Sequence, residues 1–181
     1  MKNQINCLSL FSCAGMAETY LQEVNIKVVL ANELIKDRCN FYKHLYPETE
    51  MLCGDIKNIN LRSELIKKGI QYKVDFIIAT PPCQGMSRHG RRDCKDPRNQ
   101  LIYYAIDVIM KVRPNFVLIE NVPKQLSTYI NYNNKDILIP DYIKLNLEKY
   151  YKINQNTIFN CADYGIPQSR KRSIFCMAKK S

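Results

Sequence analysis

The chain has 181 residues, 46% hydrophobic and 24% charged, with 27 Lys and Arg against 17 Asp and Glu and a formal net charge of +10. That length suits one domain with a sizeable core rather than two. No apolar run is long enough to span a bilayer and no charged-then-apolar leader opens the chain, so a soluble cytoplasmic protein without membrane contact is expected; the basic excess points to a polyanionic partner.

In chain order, Ile5–Phe11, Lys27–Asn32, Val74–Thr80 and Asn115–Asn121 are short apolar, β-branched runs that read as buried strands. Helical lengths lie between them at Ala14–Val24, Leu34–Leu45, Leu61–Lys68 and Asn99–Val112, the last with Leu101, Ala105, Val108, Ile109 and Val112 on one face. Alternation of this kind predicts an α/β fold, a doubly wound and mostly parallel sheet with helices on both faces. Past Asn121 the pattern changes. Asn131–Asp136 reads as a polar surface loop, a helix is expected from Pro140 or Asp141, and YKINQNTIFN and RSIFCMA read as two strands flanking ADYGIPQSRK, a terminal antiparallel hairpin.

Eight cysteines and two histidines are present, with no Cys-x-x-Cys pair, and neither His44 nor His89 stands at ligand spacing from a cysteine pair, so no metal site is expected. Cys7, Cys39, Cys53, Cys161 and Cys176 read as small core residues. Cys83 is different. It follows Pro81 and Pro82 at a strand end, and Arg88, Arg91, Arg92 and Arg98 fall within the next fifteen residues. A nucleophilic thiolate needs nearby positive charge and partial exposure, which this arrangement supplies.

Ligands of doubly wound sheets gather at the carboxyl ends of strands, and here those ends carry FSCAG, NEL, GDI, TPPCQ and IENV. Glu33 suits a ribose diol or caps a helix; Asp55 accepts from an exocyclic amine or caps a turn; Gly15 lets a ligand approach the backbone. Together they describe an adenosine pocket. Glu120 ends the strand expected beside that of Cys83, where a protonated carboxyl can donate to a pyrimidine ring nitrogen.

The ordered blocks LFSCAG, TPPCQG, Asp96-x-Arg98, IENV and GIPQSRKR resemble the cytosine-5 DNA methyltransferases over essentially the whole chain. The resemblance implies a Rossmann-like S-adenosylmethionine-dependent methyltransferase fold. It implies transfer of a methyl group to carbon 5 of a cytosine flipped from double-stranded DNA, through a covalent adduct with Cys83, within a restriction-modification system. Glu120, Arg170 and Arg172 would complete the catalytic set. Phe11, Cys13, Gly15, Glu33, Leu34, Asp55, Ile56, Pro82 and Leu101 would form the cofactor pocket. Gln84, Ser87, Arg88, Arg91, Arg92 and Arg98, on the family's loop that closes over the flipped base, would face DNA, with Gln168 supporting the arginine-bearing turn.

Two departures from the family pattern stand out. Its opening block, Asp-Leu-Phe-x-Gly-x-Gly-Gly, is here Ser9-Leu10-Phe11-Ser12-Cys13-Ala14-Gly15-Met16, with Ser9 for the acid and Cys13 and Met16 for glycines. The target-recognition domain and the final helix beside the cofactor pocket are also missing. Residues 1–181 are therefore expected to be a single catalytic domain, the subunit of a split enzyme or a truncation. A second subunit would carry recognition, and the chain alone would tend to self-associate. A non-catalytic nucleic-acid-binding remnant and an RNA cytosine-5 methyltransferase are the alternative readings.

Overall fold

The computed structural model describes residues 4–82, 97–155 and 157–180. Five strands, β1 (Ile5–Leu10), β2 (Ile26–Glu33), β3 (Glu50–Cys53), β4 (Phe76–Ala79) and β5 (Phe116–Asn121), run parallel in the spatial order β3-β2-β1-β4-β5. The order reverses between β1 and β4, which makes their carboxyl ends the switch point of a doubly wound sheet. Of the remaining strands, β6 (Tyr129–Tyr132) and β7 (Lys135–Leu138) form a separate hairpin, while β8 (Tyr151–Ile153), β9 (Ile158–Asn160) and β10 (Lys171–Lys179) complete the main sheet. Strand β10 lies antiparallel to β5, with β8 and β9 both pairing along it.

The helices are α1 (Lys36–Leu45), α2 (Ile59–Gln71), α3 (Leu101–Val112) and α4 (Ile139–Leu147). Leu8, Leu10, Leu30 and Ile77 of the sheet pack with Leu65 of α2, Ile102, Ala105 and Ile109 of α3, and Ile143 and Leu147 of α4 in one core. The alternate side chains Cys7, Val28 and Ile78 form a smaller cluster on the other face, where α1 packs Cys39 and Tyr42 against Ala31 and Met51.

Helix boundaries moved for local reasons. Asn58 accepts from the backbone N–H groups of Asn60 and Leu61, so α2 starts at Ile59 instead of Leu61. Glu33 takes the N–H of Ile35 and holds that residue extended, which delays α1 to Lys36. A 3-10 turn over Pro97–Gln100 precedes α3 at Leu101.

Several expectations are corrected. Ala14–Val24 is not a helix but a run of turns ending in a 3-10 segment at Leu21–Val24; Gly15 at φ 79° breaks the register. Asn131–Asp136 is the tip of the β6–β7 hairpin, because Asn133 and Asn134, at φ 52° and 62°, make the two-residue turn that favours right-handed strand twist. YKINQNTIFN is two strands. In the gap, the Asn154 side chain donates to the Ile174 carbonyl at 3.1 Å and accepts from the Cys176 N–H at 2.8 Å, an amide standing in for missing backbone. Of the thiols read as core, Cys7 and Cys39 are buried, Cys161 is half-buried, and Cys53 and Cys176 are exposed. No described helix is long and apolar enough to cross a membrane.

Candidate active site

A cavity of about 340 Å³ opens at the carboxyl ends of β1 to β4. Its wall takes Phe11 and Cys13 from the loop after β1, Asn32 and Glu33 from the end of β2 and Leu34 just past it, Gly54, Asp55 and Ile56 after β3, Thr80 and Pro82 after β4, and Arg98 and Leu101 at the start of α3. Eight of the nine residues expected in a cofactor pocket therefore meet in one place. The ninth, Gly15, is not on the wall. Its carbonyl accepts from the Tyr46 hydroxyl at 3.0 Å, and a Cβ there would collide with the Tyr46 ring, so the glycine permits close packing against Tyr46.

Glu33 is only 5% exposed. Its two carboxylate oxygens accept from the N–H of Cys13 and of Ile35, both at 2.9 Å, while Arg38 approaches to 3.9 Å. A buried carboxylate needs such donors, and they fix its rotamer while each oxygen keeps a lone pair. Asp55 accepts from the Lys57 N–H at 2.9 Å, the turn-capping role, and still lines the cavity. Arg62 grips that turn from α2, donating to the carbonyls of Ile56 and Lys57 at 2.9 and 3.1 Å and to Asp107 of α3 at 2.8 Å. Asn32 ties β2 to the same turn through the carbonyls of Leu52 and Gly54.

Beside the cavity, Thr80 is bound to the Leu10 and Phe11 carbonyls through its N–H and hydroxyl. Asn121 at the end of β5 donates to the Pro81 carbonyl at 3.0 Å and accepts from the Val122 N–H at 2.8 Å. One side chain thus secures the Pro81–Pro82 step that leads to Cys83. Glu120 stands next to it, with the Arg172 guanidinium at 2.7 Å. The register pairs Glu120 with Ile174, which makes Arg172 its diagonal neighbour across the antiparallel pair. Burial raises the Glu120 carboxyl above the ordinary carboxylate range, and the nearby Arg172 and Arg170 charges pull the other way.

Arg170 and Gln168 are exposed on the turn between β9 and β10; the Arg170 backbone joins Asn160 and Cys161 through its N–H and carbonyl. Cys83, Gln84, Ser87, Arg88, Arg91 and Arg92 lie outside the described residues. Arg98, expected among phosphate-facing residues, lines the cavity wall. No cluster able to hold a metal ion occurs among the described residues. Sequence reasoning missed Asn32, Thr80 and Arg62. The first two carry a signal, as polar residues in or at the end of otherwise apolar strand runs; Arg62 carries none.

Residues 5–181 match the family model for C-5 cytosine-specific DNA methylase. Type II methyltransferase M1.HgaI of Avibacterium volantium is 42% identical over 185 residues, covering 99% of this chain and 52% of the relative. M.AquIA of a Picosynechococcus species is 28% identical over 170 residues, 91% of this chain and 68% of the relative. Among solved structures, a triple mutant of Spodoptera frugiperda DNMT2 superposes with a TM-score of 0.67 at 27% identity, over 98% of this chain and 50% of the other. The chain spans about half the length of most of the curated relatives it matches. Its switch-point cavity, its ordered motif blocks and the match along nearly its whole length place the chain in the C-5 cytosine-specific DNA methylase family.

Proposed function

We propose that this chain is the cofactor-binding and catalytic part of a restriction-modification DNA cytosine-5 methyltransferase. The observation that carries the reading is the Asn121–Pro81 hydrogen bond, which joins the approach to Cys83 to the end of β5, where Glu120 pairs with Arg172 of β10. The cavity is lined by Pro82 and fits an adenosine-containing ligand: Glu33 offers acceptor lone pairs to a ribose diol, Phe11, Leu34, Ile56 and Leu101 supply apolar wall, and Asp55 adds a second carboxylate to the lining. S-adenosylmethionine, when bound there, supplies the methyl group.

The chain's own residues do the rest. The Cys83 thiolate adds to carbon 6 of a flipped cytosine, and Glu120, whose carboxyl burial holds above the ordinary carboxylate range, donates a proton to the ring nitrogen so that electron density moves to carbon 5. Arg172 orients that carboxyl, and Arg170 on the exposed turn faces the base and its flanking phosphates. After methylation, loss of the carbon-5 proton expels the thiolate.

Reading of the target sequence falls to residues beyond this chain, whether on the same polypeptide or on a companion. Exposed Met16, Tyr20, Val24, Phe41 and Leu45, on the turn segment after β1 and on α1, support such a covering part. The test is transfer of labelled methyl from S-adenosylmethionine to mixed-sequence duplex DNA, by the chain alone and with the product of the adjacent gene, with Cys83→Ser as control. Transfer that needs the companion and vanishes in Cys83→Ser supports the reading. Binding to DNA with no transfer in either mix favours the remnant, and transfer to RNA alone favours the RNA enzyme.

A further inference from the structure

The cavity wall is built partly from a strained loop. Phe11 and Cys13 both adopt positive φ, at 59° and 53°, in a region that non-glycine residues rarely occupy. Such conformations persist only where the surroundings over-determine them. At the near end of the loop the supports are Thr80 on the Phe11 carbonyl, the Ser12 N–H on Asn32 and the Cys13 N–H on Glu33. The far end is held by the Ser12–Gly15 turn, by the Glu18 N–H and the Tyr46 hydroxyl on the Gly15 carbonyl at 3.2 and 3.0 Å, by the Thr19 hydroxyl on the Gly15 and Met16 carbonyls, and by the side chain of Glu18.

Glu18 is 2% exposed, and its carboxylate accepts a hydrogen bond from the Ser9 hydroxyl of β1. Its second oxygen has no hydrogen-bond partner among the described residues, and Cys7 and the buried hydroxyl of Tyr42 are its electrostatic neighbours. Burying a carboxyl with one partner is costly, and a hydrophobic residue would fill the space at lower cost. The position is explained if the contact fixes geometry: Ser9 lies two residues before Phe11 and Glu18 three after Gly15, so the pair closes the loop into a ring.

Building on the functional reading above, we infer that Glu18, through its buried hydrogen bond to Ser9, is a positioning residue for the cofactor loop Phe11–Gly15. It touches no ligand. Its effect is to keep the loop in the ligand-competent form, and affinity falls in proportion to the fraction of time that form is lost.

The experiment is calorimetric binding of S-adenosylhomocysteine to the wild-type chain, Glu18→Ala, Glu18→Gln and Ser9→Ala, each checked for folding by circular dichroism. Ile143→Ala in α4, remote from the loop, serves as a control of lowered stability. The expected result is about tenfold weaker binding for Glu18→Ala and Ser9→Ala, near-wild-type binding for Glu18→Gln, which keeps the acceptor, and unchanged affinity for folded Ile143→Ala. Wild-type affinity in Ser9→Ala overturns the inference even if Glu18→Ala fails to fold, as does an equal loss in Ile143→Ala. If the wild-type chain binds no S-adenosylhomocysteine, the functional reading itself fails and the inference goes with it.

Discussion

Replacing Arg172 by methionine keeps the aliphatic stem and removes the guanidinium 2.7 Å from Glu120. At that distance the gross attraction is about 6 kcal/mol for an effective dielectric constant of about 20. Water recovers most of it, because the Glu120 and Arg172 side chains are 30% and 18% exposed. Exposed pairs net about 0–1 kcal/mol, while breaking a buried pair costs about 3–5. Intermediate burial puts the cost of Arg172→Met at about 2 kcal/mol, a fall in Tm of about 4–8 °C for a chain of this size.

The pH dependence follows from the direction of the Glu120 shift. Burial holds its native carboxyl above the ordinary value in spite of the two arginines. The folded protein therefore binds more protons than the unfolded chain in a window that opens at the ordinary carboxylate pKa and closes at the raised one, and stability falls as pH rises through it. Removing Arg172 removes an influence that lowers the pKa, so the window extends upward. The cost of the substitution is full above the window and absent below it, where the carboxyl is neutral in both states. Urea unfolding at about pH 8 and about pH 4, on wild-type and Glu120→Gln backgrounds, measures this. The cost should be about 2 kcal/mol at the higher pH and below about 0.5 at the lower pH or on the Glu120→Gln background. An equal cost at both pH values, or an equal cost without the carboxylate, refutes the coupling.

Asn121→Ala strips the partner from the buried Pro81 carbonyl and from the Val122 N–H, an expected loss of about 1–3 kcal/mol by thermal unfolding. If Asn121 also sets the approach to Cys83, methyl transfer falls more than S-adenosylhomocysteine affinity does. Gly15→Ala meets both a φ of 79° and a collision with the Tyr46 ring. It should cost about 2–4 kcal/mol, partly recovered by Tyr46→Ala, and full stability in the single variant would show that the turn can relax. Cys13→Gly relieves the left-handed strain at φ 53° but gives the unfolded chain more freedom, so stability should stay within about 1 kcal/mol of wild type. The readout is affinity for S-adenosylhomocysteine. Tighter binding shows that the thiol side chain crowds the cavity, and weaker binding shows that it contributes a contact.

The parts legible in the sequence were those with a periodic or positional signal. Strands β1, β2, β4 and β5 are short apolar runs and appear within a few residues of their expected bounds, and the strand-end rule placed Phe11, Glu33, Asp55 and Pro82 around one cavity. Ala14–Val24 has helical length and composition, yet its conformation is decided by positive φ at Cys13 and Gly15 and by the pull of Ser9 on Glu18, none of which is periodic. The Asn133–Asn134 turn belongs to a two-residue hairpin that the polar stretch around it disguised as a loop. Asn154 reads as a strand residue, and only its two bonds to β10 show that it interrupts one. Serine at position 9, missing the family's acid, looks like a loss in the sequence, whereas in three dimensions a carboxyl reaches the same residue from Glu18.

The supports of the site form a continuous line of three links across four neighbouring strands, β1, β4, β5 and β10. Thr80 holds the Leu10 and Phe11 carbonyls from β4, Asn121 holds Pro81 from β5, and Arg172 holds Glu120 from β10. Each link joins adjacent strands, whose separation is fixed near about 4.8 Å by the backbone ladder. The spacing between the cavity and the Glu120 carboxyl is therefore set by the sheet and not by side chains of some further domain. Preorganisation of this kind is what a site needs to place two reactants at contact distance without reordering at each turnover. Both the cavity and the Glu120 carboxyl are thus held in position by links among the described residues themselves.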